Sequence, residues 1–469
     1  MSDPSKSAGD TRTEKDSLGE VEVPSAALWG AQTERARRNF RASGLRVDPA
    51  LIAAYARVKR AAALANAETA GLDRGKAEAI VAAADEVLAG LHASQFPLDP
   101  FQAGAGTSLN MNLNEVLANR ALELLGRQRG DAAYLSANDD VNRSQSTNDT
   151  YPTALHLAAL RRWGDLVPVL LDLAEAFEER GDAFHGIVKA GRTHLQDAVP
   201  VRLGRELKAY GMALRRTIRL GVAPARELCR LPIGGSAAGT GLNVPPGFRE
   251  RVVSELAHAT RLPLRPTSDL YEAMQSRQAI GAMSGVLRGL ALELTRIAND
   301  LRLLASGPAT GLAEIMLPVV QPGSSIMPAK VNPVMAECLN MVSYQVIGND
   351  AVVALAVQAG QLELNVMMPL MAHALLGSFR LLVAFLPDFT ESCVKGIEAD
   401  AARCASFSER TAALGTVLNP VVGYLEAAKL IKESLATGAS VADLAVKKGL
   451  LSKEDAARLF SPERMTGEE

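Results

Sequence analysis

Three long stretches of this chain read as helices whose apolar residues wrap around more of the circumference than one subunit can cover. Residues 163–190 place Leu166, Leu170, Leu173, Ala174 and Phe177 at helical spacing, with charges on the other face. Residues 270–305 contain no proline and carry Gly281, Gly285 and Gly289 at successive fourth positions. Each glycine costs a helix about 1 kcal/mol relative to alanine, so the stripe predicts close approach of a neighbouring helix. A third helix is expected from Val334 to Val366, with a bend near Pro369. The pattern predicts a mainly α fold: a long central bundle that pairs with copies of itself.

Composition agrees with packed helices. Hydrophobic residues make up 48% of the chain but aromatic ones only 4%, so Ala, Leu and Val must fill the core. No glycine-rich GxGxxG motif follows a strand, which argues against a nucleotide-binding fold. Around the central bundle at 146–400, residues 17–145 are expected to form an N-terminal domain and 401–469 a small helical one. The polar residues 1–16, MSDPSKSAGDTRTEKD, read as a disordered tail. Near the C-terminus, Ser440 with Asp443 and Ser452 with Asp455 are capping boxes on two short helices separated by Gly449. Their basic residues, Lys447, Lys448, Lys453 and Arg458, are offset by Asp443, Glu454 and Asp455, so an appendage is expected rather than a DNA reader.

A net charge of -2 leaves no footprint for nucleic acid or an anionic membrane surface. No apolar run looks long enough to cross a bilayer; AVVALAVQAG at 351–360 is too short. Cys229, Cys338, Cys393 and Cys404 are scattered, as free thiols of a reducing cytoplasm would be. The six histidines never cluster at metal-ligand spacing, and no metal or cofactor is expected.

Four short segments share small hydroxyls, amides and glycine: GAGTSLNMNLNE (104–115), NRSQSTNDTYPT (142–153), GRTHLQDAVP (191–200) and GSSIMPAKVNP (323–333). Each is expected at a helix boundary, where backbone N–H groups are free. A Ser, Thr or Asn there is commonly a cap. Four such segments together could surround a small dicarboxylate.

GSSIMPAKVNP resembles the signature loop of the aspartase/fumarase superfamily, whose members eliminate fumarate from succinyl compounds. The resemblance runs from SLGEVEVPSAALWGAQTERARRNF at residue 17 to about residue 465 and keeps all four segments in family order. Within that superfamily the aspartase branch is favoured by Ala105, Ser108 and Thr147, and by NPVMAE and GQLELNVM. GGSAAGTGLN at 234–243 leans toward the fumarase branch, and GRTHLQDA is common to both.

The resemblance implies a three-domain subunit, a homotetramer, and sites each built from three subunits. It makes Ser324 the base that abstracts a proton from the carbon next to a carboxylate, with loop N–H groups and Lys330 stabilising its oxyanion. It has Thr107, Ser146, Thr147 and Ser325 hold the carboxylate that becomes the enediolate. Asn148, Thr193 and His194 would surround the amino group and second carboxylate, which Lys330 and Asn332 also bind. Glu337 would orient His194. Three positions depart from family usage: Asp140 stands where many relatives have His, Ala309 where Arg is usual, and Met368 where close aspartase relatives have Glu. These imply loss of a secondary anion site, of a loop-supporting ion pair and of a polar contact, respectively. The expected activity is deamination of aspartate. Hydration of fumarate, release of another amine from a succinate skeleton, and a catalytically silent helical assembly stay open.

Overall fold

The computed structural model describes residues 10–467, a mainly helical chain whose strands pair only two at a time. In chain order, β1 (Thr11–Asp16) and β2 (Gly19–Pro24) form a hairpin, followed by α1 (Ala31–Asn39), α2 (Pro49–Thr69), α3 (Arg74–Leu88) and α4 (Thr107–Leu124). Next come α5 (Thr147–Ala183), a second hairpin of β3 (Val188–Thr193) and β4 (Gln196–Arg202), and α6 (Leu203–Leu228). Then follow α7 (Phe248–Thr260), α8 (Leu270–Gln275), α9 (Gln278–Leu304), α10 (Val334–Gln358), α11 (Met368–Phe389) and α12 (Ala401–Arg410).

By its contacts the chain divides into two compact units. The first takes the chain up to Leu166 with Leu220–Gly289 and Gln345–Leu382; the second takes Val167–Arg219, Leu290–Tyr344 and everything from Val383. Tyr55 and Tyr151 meet edge-to-face in the core of the first, with ring centroids 5.9 Å apart. Phe177 and Tyr210 do the same at 5.5 Å in the second.

Local chemistry sets the boundaries. Asp48 and Asp73 cap α2 and α3 by accepting backbone N–H groups, and Pro49 sits in the first turn of α2, where its missing N–H costs nothing. The segment after α8 turns extended at Ser276, and the buried Arg277 guanidinium takes up the carbonyls of Met274 and Ser276 at 3.0 and 2.9 Å. The expected single helix over 270–305 is therefore two.

The third long helix is also shorter than expected. α10 stops at Gln358, because the fully buried Asn365 amide donates to Ala356 O and Val357 O at 2.9 and 3.0 Å, satisfying terminal carbonyls. The same side chain accepts from Met367 N at 2.9 Å, and Pro369 opens α11 rather than bending α10.

Residues 11–16, expected within a disordered tail, form β1; residues 1–9 lie outside the described residues. The strand is held by side chains. The Arg12 guanidinium reaches Ala27 O at 2.6 Å and Trp29 O at 2.8 Å, Asp16 pairs with Arg35 at 2.8 Å, and Val21 and Val23 of β2 pack against Ala27 and Ala31.

Within one chain the glycine stripe makes no close helix contact. A Cβ on Gly281 would meet Val357 at an ordinary 3.5 Å, and one on Gly285 or Gly289 would meet nothing within 4 Å. Close helix approach occurs instead between α5 and α6, where a Cβ on Gly204 would lie 2.1 Å from Gly181 O and one on Gly211 would lie 2.8 Å from Ala174 O. One stretch, Met368–Val394, is long and apolar enough by composition to cross a membrane, which corrects the sequence reading. More than half of its most apolar window is buried inside the protein, as in a core helix.

Near the C-terminus both serines cap their helices as expected: Ser440 Oγ accepts from Asp443 N, and Ser452 Oγ from Asp455 N at 2.9 Å, the N-cap half of each expected box. They frame a small core of Leu418, Leu430, Val441, Leu444 and Leu459.

Candidate active site

Thr107, Ser146, Thr147 and Asn148 belong to the first unit; Thr193, His194, Glu337 and the loop from Gly323 to Pro333 belong to the second. In the first, a tight turn with Ala105 at φ +60° leads into α4, and Ala105 N donates to Val366 O at 3.0 Å. A Cβ on Gly106 would lie 2.1 Å from the Tyr151 ring, so the start of α4 lies directly against α5. Thr107 is exposed at the head of α4, while Ser108 is buried behind it.

Ser146 caps α5. Its Oγ accepts from Asn148 N at 3.2 Å, and Asp149 reaches back to accept from Ser146 N at 3.0 Å, a capping box. Asn148 Nδ2 donates to Ala237 O at 2.8 Å. Thr147 is 7% exposed, so of the expected donors on α5 it is the one turned inward.

Two buried charges underlie this segment, and neither was singled out from sequence. Asp149 is fully buried and its other oxygen accepts from Gly234 N at 3.1 Å and Ser236 N at 2.9 Å. Burial pushes its carboxyl up to about 7, against the pull of those N–H donors and of Lys59. Lys59, equally buried, donates to Asn142 Oδ1 and Gln145 Oε1, both at 3.0 Å. Burial lowers its ammonium to about 7, opposed by Asp149.

In the second unit, GRTHLQDAVP lies not at a helix boundary, as expected, but at the tip of the β3–β4 hairpin. The two turn residues are His194 (φ +56°) and Leu195 (φ +59°), the left-handed pair that matches strand twist in a two-residue hairpin. Thr193 and His194 are both exposed there. The hairpin is anchored by charge: the wholly buried Glu314 carboxylate takes Arg192 at 2.8 Å and Lys189 at 3.5 Å, and Lys189 also reaches Glu206 at 3.3 Å.

The loop from Gly323 closes on itself. Gly323 N donates to Lys330 O at 2.8 Å, Asn332 Nδ2 to Gly323 O at 2.7 Å, and Lys330 N to Met327 O at 3.3 Å. A Cβ on Gly323 would lie 2.4 Å from Lys330 O, so only glycine fits. Within the pinched loop Ser324 Oγ accepts from Ile326 N at 3.2 Å and Met327 N at 2.9 Å. Two N–H donors aimed at one hydroxyl oxygen favour negative charge there. Ser325, Ile326 and Lys330 are exposed. Glu337 stands in the first turn of α10, as expected, but no hydrogen bond joins it to His194 among the described residues. Nor do any three His, Cys, Asp or Glu side chains among those residues converge to hold a metal ion.

The three departures have local explanations. Asp140 is buried and paired with Lys76 at 3.3 Å while accepting from Ser136 N at 2.8 Å. Met368 is fully buried, an apolar position in this chain. Near the exposed Ala309, support comes from Arg403, which donates to Gly311 O at 3.0 Å and Leu312 O at 3.1 Å.

Comparison with known proteins adds the following. Residues 19–348 match the family model described as "Lyase", and residues 414–467 match "Fumarase C C-terminus". An aspartate ammonia-lyase of Bacillus subtilis (strain 168) is 46% identical over 455 residues, covering 97% of this chain and 96% of the relative. A class II fumarate hydratase of Ralstonia nicotianae is also 46% identical, over 458 residues, covering 97% and 99%. Among solved structures, a fumarate lyase:delta crystallin from Brucella melitensis bound to cobalt superimposes with a TM-score of 0.94 at 48% identity, covering 97% of this chain and 99% of that one.

Proposed function

The chain belongs to the aspartase/fumarase lyase family, and on that premise we propose that it eliminates ammonia from L-aspartate to give fumarate, reversibly. The observation that carries the proposal is the environment of Ser324. A serine is a poor base unless its alkoxide is stabilised, and the loop aims two backbone N–H groups at this oxygen. In this reading Ser324 removes the proton next to the carboxylate held by Thr107, Ser146, Thr147 and Ser325. Charge then develops on that carboxylate and ammonia departs. Lys330, Asn332, Asn148, Thr193 and His194 hold the other end, and closure of the loop excludes water. Asn332 donates one amide proton within the loop and has a second to offer substrate.

We further propose a homotetramer with each site shared among three subunits. Exposed apolar side chains on the long helices support it: Met212 and Leu220 on α6, Leu292 on α9, and Met341 and Leu355 on α10. His194 and Glu337, which do not meet within one chain, would then meet across subunits.

Aspartate is favoured over malate by Ser108 and Thr147 beside the donors and by the NPVMAE and GQLELNVM segments. Hydratase relatives are equally similar, so the test must separate the two. Pure protein is incubated with fumarate, with and without ammonium, and fumarate absorbance is followed. Loss only with ammonium supports the aspartase reading. Equal loss without it makes the protein a hydratase, and no loss in either makes the assembly silent or directed at another amine.

A further inference from the structure

We propose that Asp149 is a positioning residue that clamps two segments together, with Lys59 as a second clamp on one of them through its own hydrogen bonds. The proposal rests on the reading that Ser146, Thr147 and Asn148 donate to substrate.

Asp149 spends one oxygen on Ser146 N at 3.0 Å, closing the cap of α5. The other takes Gly234 N at 3.1 Å and Ser236 N at 2.9 Å, from a chain segment far away in sequence. Ser236 itself holds a left-handed φ of +55°, a conformation that needs an external restraint. The next residue of that segment, Ala237, presents its carbonyl to Asn148 Nδ2 at 2.8 Å. One buried carboxylate therefore fixes the head of α5 and also the backbone that orients the Asn148 amide. Such a group cannot be exchanged for water, because it is wholly enclosed.

Lys59 acts on the approach to the same segment. Its two acceptors, Asn142 and Gln145, bracket a turn in which Ser144 takes φ +62°, and the turn delivers the chain to Ser146. The hydrogen bonds of Lys59 go to Asn142 and Gln145 and not to the 234–237 segment. The two clamps thus predict different patterns of loosening when each is removed, which a general loss of stability would not produce.

The test uses full-length protein. Amide hydrogen exchange of peptides covering 142–150 and 232–240 is measured in wild type, Asp149→Leu and Lys59→Met, alongside kcat and KM for aspartate and fumarate. Asp149→Leu removes both acceptor oxygens, where asparagine would keep one, so both segments should exchange at least tenfold faster; Lys59→Met should speed the first more than the second. Displaced donors on the carboxylate that becomes the enediolate act in the transition state, so kcat should fall about 100-fold with KM changed less than about threefold. Unchanged exchange at 232–240 in Asp149→Leu overturns the clamp, and so does faster exchange with wild-type kcat. If Asp149→Leu does not fold, the same measurements are made on Asp149→Asn, and unchanged exchange at both segments there overturns the clamp. A wild type inactive on either substrate refutes the proposed function, and the exchange pattern still decides the clamp.

Discussion

Asn332 donates its side-chain amide to the carbonyl of Gly323 across 2.7 Å, tying the end of the serine loop to its beginning. The loop is therefore a closed unit that can move as one body, and Ser324 moves with its own N–H donors already in place. The first prediction follows from this. Ser324→Ala should reduce kcat by several orders of magnitude while leaving helix content and assembly unchanged, since a half-buried loop hydroxyl adds little to packing. Circular dichroism, sedimentation and fumarate absorbance check it; full activity in the variant removes Ser324 from the mechanism.

Gly323→Ala tests the closure itself. The added methyl would press on Lys330 O at 2.4 Å and Asn332 N at 2.7 Å, so the pinch must open. A displacement of about 1 Å in a base costs on the order of 100-fold in rate. Stability should barely change, because the loop lies at the surface. Wild-type kcat in this variant would show that the pinch is dispensable.

The assembly prediction concerns Leu292 and Leu355, both more than half exposed on the long helices α9 and α10. Replacing both with glutamate should yield folded subunits that sediment below the tetramer and do not turn over substrate. A competent monomer at assay concentration sinks the shared-site reading.

His156 gives stability a pH dependence. Its Nδ1 faces Leu228 O and Arg230 O, both at 3.1 Å, so that nitrogen carries the proton of a neutral ring. Burial, aided by the nearby Arg277 charge, pulls its pKa from 6.5 down to about 4. Above pH 6.5 the ring is neutral in both folded and unfolded chains, and no dependence arises. Between 6.5 and about 4 the unfolded chain binds a proton that the native chain refuses. Stability therefore falls as pH falls through that window, by on the order of 3 kcal/mol, and not further below it. Denaturant titrations at both ends of the window should show a smaller loss for His156→Gln than for wild type. Equal losses would mean that the ring is already charged or solvated.

Much of this was legible in the sequence because it is written in local chemistry. Proline, glycine and serine around residues 323–333 announce a structured loop, and Ser440 and Ser452, each with an aspartate three residues on, announce the starts of two short helices. Other features depend on partners distant in the chain. Nothing in RVKRAAALANA says that Lys59 is enclosed while its neighbour Arg60 is not, and nothing near Glu314 points to Lys189 and Arg192. The β3–β4 hairpin was hidden because His194–Leu195 replaces the Asn-Gly pair that advertises such a turn. The end of α10 was overlooked although Gly360 marks it, because the apolar pattern runs on beyond it. The strand at 11–16 is polar in sequence, and its pairing with β2, the carbonyls reached by Arg12 and the Asp16–Arg35 pair hold it in place.

The turn at His194 and Leu195 bears on how this enzyme could be engineered. Two non-glycine residues in left-handed backbone cost roughly 1–2 kcal/mol each, and Leu195 is 73% exposed, so little packing compensates. Leu195→Gly should therefore raise the melting temperature if strain outweighs the entropy of a freer unfolded chain, and calorimetry would show the sign. A heat-challenge selection that never assays turnover would go further and favour Asn-Gly at both positions. It would return a hardier scaffold that had discarded the imidazole proposed to bind substrate, so on that reading any campaign for thermal resistance here has to hold residue 194 fixed.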